Sequence, residues 1–355
     1  MKTNIPERIA ALREAMKQQK VDAYIIPSSD PHLSEYPADR WKSREWISGF
    51  TGSAGTIVVT ADKAGLWTDS RYFLQAASQL EGSGIELYKL ALPETPSITE
   101  FLLHELHTGQ AVGLDGQTYS AAEASALANK LSRKEIKLDT SADLIEGIWK
   151  DRPAVPGNPI FEMPEALSGA SVHEKLDLIN NQLRSEGADC LILAALDEIA
   201  WTFNIRGTDV TYNPVVVSYA FVSEDESVLF IKPEKLTAEI TEHLKKEGVT
   251  LAEYSMIQRY LSRLPENSRV FVDMNKTNVS LYDAIPGSCT IVEGISPANH
   301  LKSIKNETEI KGFQNAVVKD GVALTKFYIW LEKQMAEGAQ VTEISAAGKR
   351  SYFKA

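Results

Sequence analysis

The sequence predicts an α/β protein in which two similar lobes follow one another and a helical segment comes last. A helix followed by a buried strand occurs twice, first over residues 6–26 and again over residues 171–193. A tryptophan, an apolar residue and a glycine also recur at equal spacing in residues 46–52 and 201–207, each ahead of an apolar, β-branched stretch. We therefore expect two duplicated domains, each with a mixed sheet flanked by helices.

The first copy opens with apolar residues at the spacing of an amphipathic helix. Ile9, Leu12 and Met16 recur on one helical face, and residues 21–26 then form a short, continuous apolar run. A run of that length after a helix is typical of a buried strand. Residues 56–60 are rich in β-branched side chains and predict a further strand.

The second copy begins with a sequence typical of a helix start. Ser171 and Glu174 stand three residues apart, as in a capping box, ahead of apolar residues at helical spacing. Residues 188–193 follow as a predicted strand, and residues 214–219 predict another after the second tryptophan motif.

Three prolines and a glycine in residues 151–160 prevent a regular element from continuing between the copies. We expect an interdomain linker that makes few contacts. The predicted organisation is a first domain, a linker, a second domain and a final segment, over residues 1–150, 151–165, 166–303 and 304–355.

The final segment predicts one long helix. Residues 306–309 form a capping-type start, and apolar residues then recur at helical spacing to about residue 337. The members of this apolar stripe are Ile310, Phe313, Val317, Leu324, Phe327, Tyr328, Leu331 and Met335. Leaving such side chains in water costs about 1.5–3 kcal/mol each. We therefore expect the stripe to pack against the second lobe or against the same helix of another chain.

Charge and hydropathy exclude two classes of partner. The chain has 37 basic and 48 acidic residues, a net charge of -11, and no stripe of lysine and arginine of the kind that binds nucleic acid. No run is long and apolar enough to span a membrane, and the first residues lack the apolar core of a signal peptide. These features predict a cytoplasmic protein without nucleic-acid or membrane partners. The two cysteines, Cys190 and Cys289, lie in apolar runs and are expected to be buried, reduced thiols.

The glycine-rich stretch 49–55 does not match a phosphate-binding loop. A β-branched strand follows it instead of a helix, so its backbone is expected to form a tight turn. Ser53 stands between glycines, but position 51 is threonine where a nucleophile elbow requires glycine. We therefore exclude a serine hydrolase of that type.

No residues have the spacing of a metal site. His104 and His107 are three residues apart, whereas the zinc-binding helix motif places its histidines four apart on one face. Asp30, His32 and Glu35 share one loop, where Asp30 before a proline is typical of turn chemistry. The sequence therefore predicts no catalytic residue, metal ligand or cofactor site in this chain.

Polar residues are dense between the second tryptophan motif and the strand after it. This passage contains Asn204, Arg206, Asp209, Tyr212 and Asn213. Arg206 and Asp209 either pair to shape the loop or line a cleft that faces a neighbouring domain. The sequence leaves both alternatives open.

Together these motifs resemble the long, three-domain form of the Xaa-Pro aminopeptidase (aminopeptidase P) family. The resemblance implies two creatinase-like α/β domains followed by the start of a pita-bread catalytic domain. In that family two Asp, one His and two Glu hold a dinuclear metal, usually manganese, with zinc as the alternative, and a metal-bound hydroxide attacks the peptide bond before proline. The motifs that carry the resemblance run in order along nearly the whole chain, at residues 28–36, 47–56, 66–73, 196–207, 213–219, 301–309, 320–324 and 330–332.

The resemblance also implies what this chain lacks. The chain ends at Ala355, after residues 341–345 that resemble an early helix of the catalytic domain, so no metal-ligand set carries over. We expect the N-terminal region of a peptidase for proline-containing peptides, which shapes substrate access, forms a homodimer and is inactive alone. A stand-alone binding or scaffold protein without peptidase activity is the alternative.

On this resemblance, the polar loops that face the missing domain supply candidates for a substrate-access channel. Relatives with this architecture let an amino-terminal domain reach the active site of a neighbouring subunit. The resemblance therefore implies that Arg71 or Arg40 can meet a substrate bound to the other subunit. The candidates are Arg71, Arg206, Asp209, Tyr212 and Asn213.

Overall fold

The structure is a computed structural model that describes residues 5–354. Residues 1–4, which belong to the stretch for which no signal peptide is expected, and Ala355 lie outside the described residues. Contacts divide the chain into two compact units. One unit combines the residues up to Glu162 with Val172–Lys302, and the other combines Met163–Ser171 with the residues from Ser303 onward.

The first unit contains two lobes, and lobe I is the amino-terminal one. Its strands, β1 to β6, are Ala23–Ile26, Thr56–Thr60, Ala64–Thr68, Glu86–Lys89, Ala111–Leu114 and Lys137–Asp139. Its helices, α1 to α6, are Ile5–Gln19, Ser43–Ser48, Phe73–Gln79, Ile98–Glu105, Ala121–Leu131 and Leu144–Ile148. The strands form one sheet in the order β4-β3-β2-β1-β5-β6. Strand β2 is antiparallel to β1 and β3, and all other neighbours are parallel.

Lobe II follows a connection that contains β7 (Phe161–Glu162) and α7 (Glu165–Ser168). Its strands, β8 to β14, are Cys190–Leu193, Ile205–Arg206, Ser218–Ser223, Ser227–Ile231, Val249–Ala252, Arg269–Val272 and Thr290–Glu293. Its helices, α8 to α13, are Val172–Ser185, Leu196–Thr202, Ala238–Lys246, Ile257–Leu261, Val279–Tyr282 and Pro297–Ser303. The main sheet has the order β12-β11-β10-β8-β13-β14, while β7 and β9 pair separately.

The main sheets of the two lobes have the same topology. Strand β10 is antiparallel to β8 and β11, and the remaining neighbours are parallel, as in lobe I. Strands β1 and β8 hold equivalent positions in separate sheets, so the predicted duplication is confirmed. One predicted strand is displaced, since β10 begins at Ser218 and not at Pro214. Pro214 has no amide hydrogen, and the amide of Val217 donates to the side chain of Asp209, so neither joins a ladder at that point.

The sheet of lobe I is buried on both faces. In β1, Tyr24 and Ile26 pack with Leu12 of α1, whereas Ala23 and Ile25 pack on the opposite face with Leu127 of α5. Successive strand residues point to opposite faces, and here helices cover both. This burial explains why the strands appear as continuous apolar runs in the sequence.

The connection between the lobes is irregular, as its prolines predict, but the expectation that it makes few contacts is wrong. Arg152 pairs with Asp143 of lobe I, and its Nε donates to the carbonyl oxygen of Arg40 at 2.9 Å. From lobe II, Lys232 donates to the carbonyl oxygen of Val155 at 3.2 Å. Charged side chains of both lobes therefore hold this segment in place.

The second unit consists of α7 and two further helices, α14 (Glu307–Ala336) and α15 (Glu343–Lys354). Asn306 accepts a hydrogen bond from the amide of Glu309 at 2.9 Å, which completes the predicted capping box. The side-chain amide of Asn306 also donates to the carbonyl oxygen of Ser168 at 2.8 Å. This contact explains why the residues around α7 group with the final helices, across the predicted boundaries at 165 and 303.

The first half of the apolar stripe on α14 lies in solvent. Ile310, Phe313 and Val317 are 45%, 58% and 68% exposed. That another chain covers these apolar side chains therefore stays a prediction. None of the described helices, α14 included, combines the length and the apolarity that crossing a membrane requires.

The two cysteines differ in burial. Cys190 is buried in β8, as expected, whereas Cys289 is only half-buried, and both are free thiols. Burial raises the pKa of Cys190 to about 12, so this thiol stays protonated near neutral pH.

Candidate functional site

Two loops meet where lobe I and lobe II contact each other inside the first unit. Residues 27–42 follow β1, and residues 207–217 precede β10. Because the two loops pack together, the backbone that carries the polar side chains beside this interlobe contact is held in a fixed position. The apolar side chains of the contact form one buried cluster: Ala38, Trp41, Leu196, Val210, Val215 and Val217.

His32 connects the two lobes through both ring nitrogens. Its side chain is buried, with Nδ1 2.8 Å from the carbonyl oxygen of Ala194 and Nε2 2.9 Å from the hydroxyl of Tyr254. A carbonyl only accepts, so Nδ1 carries the hydrogen. Burial lowers the pKa of His32 and favours the neutral ring, in which Nε2 accepts from the hydroxyl of Tyr254. Asp30 accepts from the backbone amides of His32 and Ser34, at 2.9 and 3.0 Å, which is the turn chemistry that the sequence predicts. His32 is therefore a neutral histidine that joins the lobes.

Acid is expected to weaken the fold through His32. Burial lowers the pKa of His32 from its usual 6.5, and the charge of Asp30 opposes that effect only in part. Below the usual value the unfolded chain binds a proton that the folded chain does not, so stability is lost as the pH falls. Moving from about pH 7.5 to about pH 5 should lower the free energy of unfolding more in the wild type than in a His32→Gln variant. Urea unfolding at both pH values measures the difference.

The comparison with His32→Gln is needed because two buried carboxyl groups change the stability with pH in the opposite direction to His32. Burial raises the pKa of Glu198 and of Asp115 to about 7. Each therefore contributes stability at low pH that is lost as the pH rises through the folded value. Glu198 and Asp115 are present in both proteins, so their effects on the free energy of unfolding cancel when the wild type is compared with His32→Gln. An identical pH dependence in the two proteins would show that His32 does not couple to folding.

Asp209 pairs with a lysine inside lobe II. The side chains of Asp209 and Lys235 are 1% and 0% exposed, and they form an ion pair. The same carboxylate oxygen accepts from the amide of Val217 at 2.7 Å, while Oδ1 is buried without a hydrogen-bond partner. Of the two alternatives that the sequence left open, Asp209 shapes the loop, but through Lys235 and not through Arg206.

The two candidate arginines differ in what they bind. Arg206 lies on β9 and donates from Nη1 to the carbonyl oxygens of Ala200 at 2.5 Å and Ile205 at 2.9 Å. Arg71 lies in lobe I with its side chain 64% exposed and makes a bidentate pair with Asp69, at 2.9 and 2.8 Å. Those hydrogen bonds raise the pKa of Arg71, which therefore stays charged. Arg206 has a structural position, whereas Arg71 presents a cation to solvent.

Tyr212 is the most exposed of the five candidates. Its side chain lies fully in solvent, and its backbone has φ +62°, in the left-handed region. Asn213 is half-buried, and its amide donates to the carbonyl oxygen of Val210 at 3.2 Å. The structure brings Asp209 and Tyr212 to one groove beside Ser53 of lobe I.

Arg71 adjoins this groove through an aromatic neighbour. Its guanidinium lies 5.1 Å from the ring centroid of Tyr72, whose hydroxyl lies 2.6 Å from Oγ of Ser53. Arg206 and Asn213 do not line the groove. Arg71, Asp209 and Tyr212 therefore lie in or beside this groove. Arg206 and Asn213 support the loop behind it.

The glycine-rich stretch is irregular, with a bend at Ser53 and Ala54, and wraps around Arg44. This arginine is buried, donates from Nε to Oγ of Ser28 at 2.9 Å, and donates from Nη1 and Nη2 to the carbonyl oxygens of Phe50 and Gly52. A Cβ at Gly52 would lie 2.2 Å from the ring of Phe50, so the backbone requires glycine there. The guanidinium is committed to this stretch and is not presented to an anion.

The residues present do not fit the dinuclear metal that the resemblance implies. Within residues 5–354, no three of the His, Cys, Asp and Glu side chains come together as metal ligands. His104 is exposed, with Nδ1 2.9 Å from Oε1 of Glu105, and both ring nitrogens of His32 are engaged. No metal-dependent step is therefore assigned to these residues.

Sequence reasoning missed Tyr254 and Asn278, which build the interlobe contact, and Lys235, which holds the loop of Asp209 within lobe II. Asn278 accepts from the amide of Leu281 at 3.0 Å and donates to the carbonyl oxygen of Pro31 at 2.7 Å, so it caps α12 and binds lobe I. A helix-capping asparagine is a detectable signal, although it indicates only the cap. Lys235 and Tyr254 stand in short turns without any motif.

Comparison with known proteins matches both lobes to one type of domain. Residues 8–148 and residues 151–309 each match a Creatinase/Prolidase N-terminal domain. A probable Xaa-Pro aminopeptidase P from Coprinopsis cinerea is 38% identical over 357 residues, which cover 96% of this chain and 57% of that protein. The Xaa-Pro aminopeptidase ApepP from Drosophila melanogaster is 36% identical over 364 residues, which cover 100% of this chain and 59% of that protein.

A solved structure has the same fold over nearly the whole chain. The X-prolyl aminopeptidase from Caenorhabditis elegans, described as a cytosolic enzyme with a di-nuclear active site, matches with a TM-score of 0.92 and 29% identity. The match covers 99% of this chain and 60% of that protein, so the chain spans less than two thirds of these relatives. The predicted resemblance and the predicted α/β fold with two creatinase-type domains are confirmed.

Proposed function

The chain belongs to the creatinase/prolidase N-terminal domain family, and from this premise we propose that it is the N-terminal region of an Xaa-Pro aminopeptidase. The whole enzyme would remove the N-terminal residue from peptides that have proline in second position. The proposal is carried by the 38% identity to a probable Xaa-Pro aminopeptidase P along 96% of this chain. The TM-score of 0.92 to the nematode X-prolyl aminopeptidase supports it.

The role of this region in the proposed enzyme is to shape substrate access. Arg71 and Tyr212 are exposed and can touch a peptide that approaches the loops. Arg206 and Asn213 support the loop from behind the groove, and Asp209, in the wall of the groove, holds the same loop through the amide of Val217 and so helps to present Tyr212. Proline-containing peptides are thus the proposed ligands of the whole enzyme, and these five residues set the path to its active site.

The proposed enzyme is a cytoplasmic homodimer. The nematode relative is described as cytosolic, which supports the location. In a dimer, Arg71 is better placed than Arg40 to reach a substrate on the other subunit. Arg40 is bound within lobe I to Glu146 and donates to the carbonyl oxygen of Pro153, with its side chain only 22% exposed.

The catalytic metal of the proposed enzyme lies outside the residues described. The nematode relative has a di-nuclear active site, and the present donor sets do not form one. We infer a dinuclear manganese or zinc centre, held by a catalytic domain that begins with residues 304–355.

The purified chain is expected to contain no stoichiometric transition metal and to hydrolyse no Xaa-Pro peptide. The physical reason is the absence, in residues 5–354, of the carboxylate and imidazole cluster that such a centre requires. Elemental analysis of protein purified without an affinity tag measures the metal. Release of arginine from Arg-Pro-Pro, with added manganese or zinc, measures the activity.

The nematode enzyme serves as the positive control for both measurements. Bound manganese or zinc at one or two ions per chain would contradict the proposal that the catalytic centre lies outside these residues. Release of arginine by the chain alone would also contradict it. Either result would place the catalytic machinery within these residues.

A further inference from the structure

A pocket of about 650 Å³, the lobe II pocket, lies entirely within lobe II. Its walls belong to residues 189–268, and none of them lines the groove that contains Tyr212. The pocket extends from the start of β8 and the end of β10 to α11 and the loop that follows this helix. Its volume is within the usual range for the binding sites of small molecules.

The floor of the lobe II pocket is apolar and largely aromatic. Cys190, Phe221 and Phe230 are buried there. The ring centroid of Tyr260 lies 5.0 Å from that of Phe221 and 5.2 Å from that of Phe230, with the rings inclined at 63° and 68°. The hydroxyl of Tyr260 donates to the carboxylate of Glu226, which holds the ring in place. Such a floor favours a planar aromatic ligand, because aromatic rings pack well edge-to-face and in offset stacks.

The wall on the side of α11 carries two arginines. Arg259 lies on α11 and Arg263 lies two residues beyond its end, and both are exposed where they line the pocket. Neither guanidinium forms an ion pair or a hydrogen bond with any of residues 5–354. A guanidinium binds a carboxylate or a phosphate through two parallel hydrogen bonds. Two unengaged guanidiniums beside an apolar floor therefore suit a ligand that carries an anionic group.

The pocket also contains acidic residues, which limit where an anionic group can lie. Asp189 is paired with Arg269, whose Nη2 lies 2.6 Å from its Oδ1. Asp225 and Glu226 stand at the turn between β10 and β11, and only Glu226 has a partner there, the hydroxyl of Tyr260. These two carboxylates equal the two arginines in number, so the pocket is dipolar. The turn repels an anionic group, which is therefore held on the side of α11.

We propose that the lobe II pocket binds a small aromatic molecule that carries an anionic group, either a carboxylate or a phosphate. The aromatic ring would pack on Phe221, Phe230 and Tyr260, and the anionic group would pair with Arg259 and Arg263. This site goes beyond the proposed function, since none of its residues is among those proposed to shape substrate access.

Isothermal titration calorimetry of the full chain tests binding with one probe for each anion. Indole-3-propionate supplies an aromatic carboxylate, and adenosine 5′-monophosphate supplies an aromatic phosphate. Indole-3-propionamide and adenosine are their neutral partners, and inorganic phosphate lacks the ring. We expect saturable binding of at least one aromatic anion, and at least about tenfold weaker binding of its neutral partner and of inorganic phosphate.

Single variants locate the site. Arg259→Gln and Arg263→Gln each remove one positive charge at an exposed position, and each is expected to weaken the bound probe by about tenfold. Asp225→Asn removes the carboxylate that repels the anion, so its binding should equal or exceed that of the wild type. The matched control is Arg133→Gln, an exposed arginine of lobe I that should leave binding unchanged.

The aromatic anion that binds identifies the class of ligand. No saturable binding of either aromatic anion at millimolar concentration, or equal binding by its neutral partner or by inorganic phosphate, would overturn the proposal. Unchanged binding in both pocket arginine variants would also overturn it, as would a tenfold loss in Asp225→Asn or in the Arg133→Gln control. These titrations use no peptide and no metal, so the measurements of metal content and hydrolysis test the proposed peptidase relationship separately.

Discussion

Replacing Lys235 with methionine is expected to destabilise lobe II by about 3–5 kcal/mol, because it leaves the carboxylate of Asp209 buried without a counter-charge. The two side chains are 0% and 1% exposed, so water cannot solvate the carboxylate once the ammonium is removed. Methionine fills nearly the same space as the lysine stem, so the loss reports the charge and not a cavity. A lower urea midpoint, followed by circular dichroism, measures it.

The matched control is Lys245→Met. Lys245 pairs with Glu242 at 3.8 Å, with the side chains 59% and 66% exposed. Exposed pairs of this kind contribute only about 0–1 kcal/mol. The double variant with Asp209→Asn and Lys235→Met removes both charges and should recover part of the loss. Equal urea midpoints for Lys235→Met and Lys245→Met would show that the buried pair does not hold the Tyr212 loop.

The parts of the fold that the sequence predicts correctly are those set by local pattern. The spacing of Ile9, Leu12 and Met16 predicts the first helix ahead of residue 21, and the structure ends that helix at Gln19. The repeated helix-strand unit predicts two equivalent sheets. The start of β10 is misplaced because Asp209 takes the amide of Val217 from the ladder. The hydrogen bond between Val217 and Asp209 forms only in the folded loop, so the spacing of apolar residues in the sequence does not predict it.

The candidate site is only partly predictable, because its key contacts join distant segments. The dense polar residues between Asn204 and Asn213 mark the right loop. His32, however, bonds to Ala194, 162 positions away, and to Tyr254, 222 positions away. A lone histidine in a turn carries no local sign of such partners. Sequence reasoning therefore finds the loop but not the network that fixes it.

Helix α14 presents apolar side chains around much of its surface. A helix with apolar residues on most sides is stable in a protein only when another element covers it. Leu324, Phe327, Trp330 and Leu331 are half-buried, and Lys349 of α15 lies 6.0 Å from the ring centroid of Trp330. The other large apolar residues of α14 are 45% to 68% exposed: Ile310, Phe313, Val317, Val318, Val322, Tyr328, Ile329 and Met335. For the purified chain, a second copy is the partner that can supply such a cover.

The chain is therefore expected to self-associate through α14, and a double variant with Phe313→Asp and Val317→Asp should abolish that association. Each side chain forfeits about 1.5–3 kcal/mol of burial, so the pair should weaken dimerisation at least about a hundredfold. Sedimentation velocity over a concentration series measures it. Leu74→Asp is the matched control, since Leu74 of lobe I is 90% exposed and its replacement should leave the dimer intact. A wild-type chain that stays monomeric at high micromolar concentration would contradict the prediction, as would equal dissociation of the Leu74→Asp control.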